Sequence, residues 1–308
     1  MRSLLIAALA LTIISGCSKN GKNPCPVLYD TSPNRSFTTA YFAPVWHPNG
    51  EVIGFNYAPI SGIKNEECKG RYYTYKEDSL GFYTINKDGS GLKRITKYFL
   101  FDPAWSPDGK SLVFSDHTGI ILFPYSASGF DTTQKKRVTA NVYDRHPTWT
   151  LNSDSIYYHS SSGSTSYNPV IAKAKIDGTG KSIVLAERGE QPSLGSDNFI
   201  YFINSDYQIC RIDRAGANKE ILTPEKNVQR IFPEFYNGKV YYHSEYKIKV
   251  LNGAELTNNA GEFAISSKGE IVYTRSEMMI DDSKKQNGVF WIMNADGTNN
   301  RQLTYNNY

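Results

Sequence analysis

Residues 102–115, DPAWSPDGKSLVFS, set apolar and polar side chains on both sides of a tight turn. Pro107 presets φ for the turn, Asp108 caps it with its own side chain, and Gly109 accepts the positive φ that other residues resist. Leu112 and Phe114 make the outgoing segment strand-like, so the stretch predicts a hairpin. Degraded copies recur at residues 42–55, 145–158, 190–202, 232–242 and 262–273. In register they place Trp46, Trp105, Trp149, Leu194, Phe235 and Ile265 at one position. Each copy is followed by a third apolar segment, a turn and a short strand usually ending in Leu-Thr or Ile-Thr. Residues 82–86 with 92–96 and residues 289–294 with 301–304 are examples.

Four short strands per period of roughly 40 residues describe a β-propeller blade. A lone four-stranded sheet has two apolar faces and cannot cover both, whereas six around an axis cover each against a neighbour. The expected fold is therefore all-β, a six-bladed propeller of four-stranded antiparallel blades, with the Trp position as a blade-to-blade contact. Two segments exceed the unit, residues 56–80 in the first copy and 276–287 at the same place in the sixth. Loops of this length usually have a reason to be there.

The first residues follow another pattern. Met1-Arg2 is a short positive start, residues 4–14 are an apolar run too short to span a bilayer, and Ser15-Gly16-Cys17 follows. Small residues before a Cys resemble the lipobox of bacterial lipoproteins. The resemblance implies cleavage after Gly16 and a lipid on Cys17; an ordinary signal peptide with an incidental Cys is the competing reading. The expected organisation is a signal peptide at 1–16, lipidated Cys17 with a polar tether to 36, and one propeller over 37–308. Residues 26–37 are a candidate extra edge strand, since the chain ends on the outermost strand of the last blade. Ser18 after the Cys resembles lipoproteins sent to the outer membrane, which implies an outer-membrane lipoprotein facing the periplasm.

An exported chain matures where disulfides persist. With Cys17 taken, Cys25 and Cys68 are the plausible bridge, pinning the long first insertion to the N-terminal arm. Cys210 sits in an apolar segment and reads as a small buried hydrophobe. No Cys or His pair has zinc spacing.

Composition adds little against this. The 308 residues are 40% hydrophobic, and 22 Tyr with 15 Phe favour strands. The net charge of +4 is spread without a long basic run, so nucleic acid is not indicated.

Trp-Ser-Pro-Asp-Gly-Lys at 105–110 and Asn-Ala-Asp-Gly-Thr-Asn-Asn-Arg-Gln-Leu-Thr at 294–304 resemble the WD40-like repeats of TolB-type propellers. The resemblance covers about residues 42–304. It implies a cell-envelope protein that binds other proteins, non-catalytic and without a cofactor. The same repeats occur in the non-catalytic propeller of prolyl oligopeptidases and, in related form, in oligouronide lyases that hold a metal with His residues. A carbohydrate-active or carbohydrate-binding channel mouth is thus the alternative reading.

Candidate chemistry is sparse. Asn86, Asp88 and Gly89, and Asn294, Asp296 and Gly297, match part of a calcium loop but lack its first and twelfth ligands, so they read as turns. No G-x-S-x-G occurs. The innermost strand of each blade starts just before the Pro position. A polar ring of Asp102, Arg145, His146, Glu190, Gln191 and Glu262 is therefore expected near the axis, as a ligand site or as a solvated lining. His159 and His243 share the register Tyr-Tyr-His-Ser, which repeat descent explains better than a shared metal, and no metal site is expected. Arg71, Tyr72, Tyr73 and Tyr75 in the first insertion have the residue types of interface hot spots, or else pack over the blade edge.

Overall fold

The computed structural model describes residues 40–66, 70–126, 129–163, 167–275 and 288–305, with backbone only for 62–66 and 70–73. The expected signal peptide at 1–16, Cys17, Cys25, Cys68, the candidate edge strand at 26–37 and the loop at 276–287 lie outside the described residues, as do the side chains of Arg71, Tyr72 and Tyr73. The chain is a six-bladed β-propeller. Blade 1 is formed by Tyr41–Trp46, Val52–Tyr57, Gly81–Asn86 and Lys93–Thr96, paired in that order and antiparallel. Blade 6 repeats the plan with Ala260–Ile265, Glu270–Arg275, Val289–Asn294 and Arg301–Gln302. The other innermost strands are Phe101–Trp105, Arg145–Trp149, Glu190–Leu194 and Ile231–Tyr236.

Two additions depart from the repeat. The insertion of blade 1 is itself a hairpin, Ile60–Glu66 against Gly70–Tyr75. In blade 2 the third strand, Gly119–Ser126, runs long enough for Gly129–Phe130 to fold back on its end while Lys136–Arg137 takes the outer place.

The hairpin turns are built as their residues predict. Asp108 Oδ1 accepts from Ser106 Oγ (2.6 Å) and Lys110 N (3.0 Å). The apparent calcium loops resolve the same way: Asp88 Oδ1 accepts from Ser90 N and Oγ, and Asp296 Oδ1 from Thr298 N and Oγ1.

Buried apolar side chains fall into six clusters, one for each blade-to-blade boundary. Trp46, Trp105 and Trp149 are each at least nine-tenths buried in them. Two reach across with the ring nitrogen: Trp46 Nε1 donates to Ala264 O (3.1 Å) and Trp149 Nε1 to Ala104 O (2.9 Å). A Trp of this kind removes on the order of 200 Å² from water, roughly 5 kcal/mol before entropy is counted.

The ring closes without strand exchange among the described residues, since blade 1 comes wholly from the N-terminal side and blade 6 from the C-terminal side. The seam is held by packing, by Trp46, and by Tyr41, whose N–H donates to Gly288 O and hydroxyl to Tyr305 O.

Candidate functional site at the channel mouth

Every innermost strand slips register near its start. In five of them the slip coincides with a non-glycine residue at positive φ: Ala43, Asp102, His146, Gln191 and Phe232, all between 48° and 55°. Each is followed by Pro, which has no N–H to lose and tolerates an inner edge. Left-handed backbone costs about 1–2 kcal/mol per residue, so something nearby must hold it.

The holding groups come from the neighbouring blades, one polar latch at each boundary. Asn56 of blade 1 exchanges two hydrogen bonds with the Leu100 backbone, 2.7 and 2.9 Å. Asp102 Oδ2 accepts from His146 N at 3.3 Å. His159 Nδ1 accepts from Gln191 N at 3.3 Å, and Gln191 Oε1 accepts from Phe232 N at 2.7 Å. His243 Nε2 donates to Ala260 O at 2.8 Å. Glu262 Oε2 accepts from Ala43 N and so latches the seam. The latches alternate between the second strand (Asn56, His159, His243) and the first (Asp102, Gln191, Glu262). The shared register of the two histidines thus reflects a shared place in the repeat.

The innermost strands enclose an axial channel of about 390 Å³. Of the polar ring expected from the sequence, Asp102, His146, Gln191 and Glu262 line it together. Arg145 and Glu190 do not line it; they point along the rim. Arg145 Nη1 donates to Asp116 O at 3.2 Å, and Glu190 is paired with Arg188 at 2.5 Å and accepts from Tyr167 Oη at 3.2 Å. Both stand before the slip, on the regularly paired start of the strand, opposite His159 and Ile203. Glu234, just past the slip in blade 5, also lines the channel.

The electrostatics are those of enclosed groups. Burial pushes the Glu234 carboxyl up to about 8, against the one hydrogen bond it accepts, from Ile265 N (2.9 Å). Burial also raises Glu262, helped by the charge of Asp102 and opposed by the Ala43 N–H. His159 is pulled down to about 3, first by burial and then by His146, so it is neutral and its Nδ1 lone pair is free to accept. His146 sits with Nδ1 3.2 Å from Asp102 Oδ1 and its ring 5.1 Å from that of His159. Among the described residues no three His, Cys, Asp or Glu side chains gather as metal ligands would. Tyr75, from the insertion, packs against the core shared by blades 1 and 6. Cys210 is fully buried and its thiol is pushed up to about 11 by burial.

No protein-family model matches the chain, and no curated protein matches it. Solved structures do. TolB from Acinetobacter baumannii superposes with a TM-score of 0.57 at 17% identity, over 71% of this chain and 58% of that one. The chain therefore spans little more than half the length of that TolB. Oligogalacturonate lyase from Vibrio parahaemolyticus gives 0.53 at 10% identity, over 87% and 78% of the two chains. The β-propeller domain of the Trilobed protease from Pyrococcus furiosus, described as having an open velcro topology, gives 0.50 at 11%, over 87% and 96%. What this chain shares with all three, at such identities, is the fold of a β-propeller.

Proposed function

We propose that the chain is a lipid-anchored β-propeller of the cell envelope that binds a protein partner through its loops and has no catalytic role. The observation that carries this reading is the use of the channel mouth. Asp102, Gln191 and Glu262, the residues best placed to hold a ligand, each present an oxygen to a backbone N–H of the next blade. Recognition is left to the loops, and first to the hairpin Ile60–Tyr75 with Arg71, Tyr72 and Tyr73, since Tyr75 packs on the core of blades 1 and 6. Cys17 carries the lipid, and the favoured place is the outer membrane, facing the periplasm. A photo-crosslinking residue at Tyr73, compared with one at Leu151 on the opposite end of the propeller, tests this in intact envelopes. A discrete protein adduct from Tyr73 alone is expected; equal or absent adducts at both would sink the reading.

One observation favours a second reading, a channel that works on or binds carbohydrate. His146 lines the channel with Asp102 on its Nδ1, the arrangement that orients an imidazole as a base. The fold likeness to an oligogalacturonate lyase suggests the substrate class to try. Stoichiometric manganese or zinc in the purified protein, or cleavage of oligouronides lost in His146→Gln, would overturn the non-catalytic proposal.

A further inference from the structure

The starts of the innermost strands, the turns between second and third strands and the links between blades all lie at one end of the propeller. Six aromatic side chains are exposed among the described residues: Tyr98, Phe101, Tyr167, Tyr207, Tyr246 and Tyr305. All six are at that end. Tyr98 and Phe101 lie on the link from blade 1 to blade 2, and Tyr167 precedes the third strand of blade 3. Tyr207 and Tyr246 stand in the corresponding turns of blades 4 and 5, and Tyr305 follows the last strand of blade 6. Of the exposed large aliphatic residues, only Val142 shares this end; Leu92, Leu151, Ile183 and Ile221 sit on the opposite turns or the outer strands.

Two of these rings are displayed against the preference of the backbone. Tyr207 and Tyr246 both have φ of 59°, in tight turns where Asn or Gly fits without strain, and they are 42% and 55% exposed. Neither ring joins a blade-to-blade core in return. Such an arrangement is retained when the exposed ring itself has a use.

We infer that this end of the propeller rests on the surface of a lipid bilayer, with the six rings at the level of the headgroups. The inference rests on the lipid-anchor reading of Cys17. Three features favour a membrane over a macromolecular partner. The rings are spread over five places around a polar mouth, which suits a plane; a protein interface concentrates its anchors in a desolvated centre. Tyrosine has the apolar body and polar tip that place it at a membrane–water boundary. The chain joins the propeller at this same end, since Ala40 O accepts from Ala58 N at 2.7 Å beside the start of the first strand. The 22 residues between Cys17 and Ala40, at about 3.5 Å each, span at most roughly 80 Å, which keeps this end within reach of the lipid. The hairpin Ile60–Tyr75 leaves from the same end, so a partner it binds is met close to the membrane.

The full lipidated chain in phosphatidylethanolamine–phosphatidylglycerol vesicles containing brominated lipid tests this. Tyr207→Trp and Tyr246→Trp report on this end and Leu151→Trp on the other, each read as emission added to the wild-type background. Interfacial rings sit within about 5–10 Å of the acyl boundary, so the bromines should quench the added emission at 207 and 246 and leave that at 151 unchanged. Equal quenching at all three positions, or none, overturns the docking and leaves this end free for a protein or a glycan. The mass of the mature chain decides the anchor separately. No lipid on Cys17 removes the anchor and the docking together, whereas lipid without selective quenching removes the docking alone.

Discussion

Glu234 offers the most quantitative prediction. Its carboxyl lines the channel, and burial pushes it up to about 8 from the ordinary 4.5. The folded chain therefore holds this proton more tightly than the unfolded chain. Its contribution to stability is fully present below pH 4.5 and is lost as pH rises toward 8. Each pH unit between the two values is about 1.4 kcal/mol, so the carboxylate costs roughly 3 kcal/mol at pH 7 and approaches a limit of roughly 5 kcal/mol above pH 8. Glu234 is itself partly exposed on the channel lining, so solvent screening makes these upper bounds. Glu234→Gln keeps an oxygen for the Ile265 N–H and removes the charge. Urea unfolding of both chains should give equal stabilities near pH 4.5, with the variant gaining steadily to an advantage of about 1–3 kcal/mol at pH 7. Parallel pH profiles from 5 to 8 would refute the reasoning and put the carboxylate in open water.

Three other perturbations probe separate parts of the fold. Trp149→Ala should cost about 3–5 kcal/mol by opening the boundary of blades 2 and 3, and Trp149→Phe, which removes the bond to Ala104 O and only part of the ring volume, about 1–3 kcal/mol; thermal melts distinguish them. Gly216→Ala would set a Cβ 1.9 Å from Val184 O at φ +85; a melting temperature close to wild type would show that the approach of blade 4 to blade 3 there is not tight. The Cys210 thiol should resist a thiol reagent in the native protein and react fully in urea, and ready native labelling would contradict its burial.

The architecture was legible because turn chemistry is local: Pro107-Asp108-Gly109 and its relatives mark each hairpin without help from the rest of the chain. The extra strand Gly129–Phe130 was not, because two residues carry no period and their pairing depends on how far the third strand of blade 2 runs. At the mouth, the sequence pointed to Asp102, His146, Gln191 and Glu262 because they are polar beside a recurring Pro. It did not reveal that most of them hold strained backbone on the next blade, since a latch is a relation between residues some 40 positions apart. Arg145 and Glu190 were drawn into the ring by adjacency alone; they stay on the paired side of the slip, where Asp116 O and Arg188 hold them. Asn56 and His159 escaped notice as latches because their partners belong to the next repeat.

The latch at every blade boundary is tested most directly by the urea midpoint of Asp102→Ala combined with Glu262→Ala. Measured against Asp102→Asn with Glu262→Gln, which keep the accepting oxygens without the charges, freeing the N–H groups of His146 and Ala43 should lower stability by about 1–3 kcal/mol for each site, and because the Asp102 charge raises Glu262 the two effects should not simply add. An unchanged midpoint would contradict the latch and return both carboxylates to the role of ligand groups.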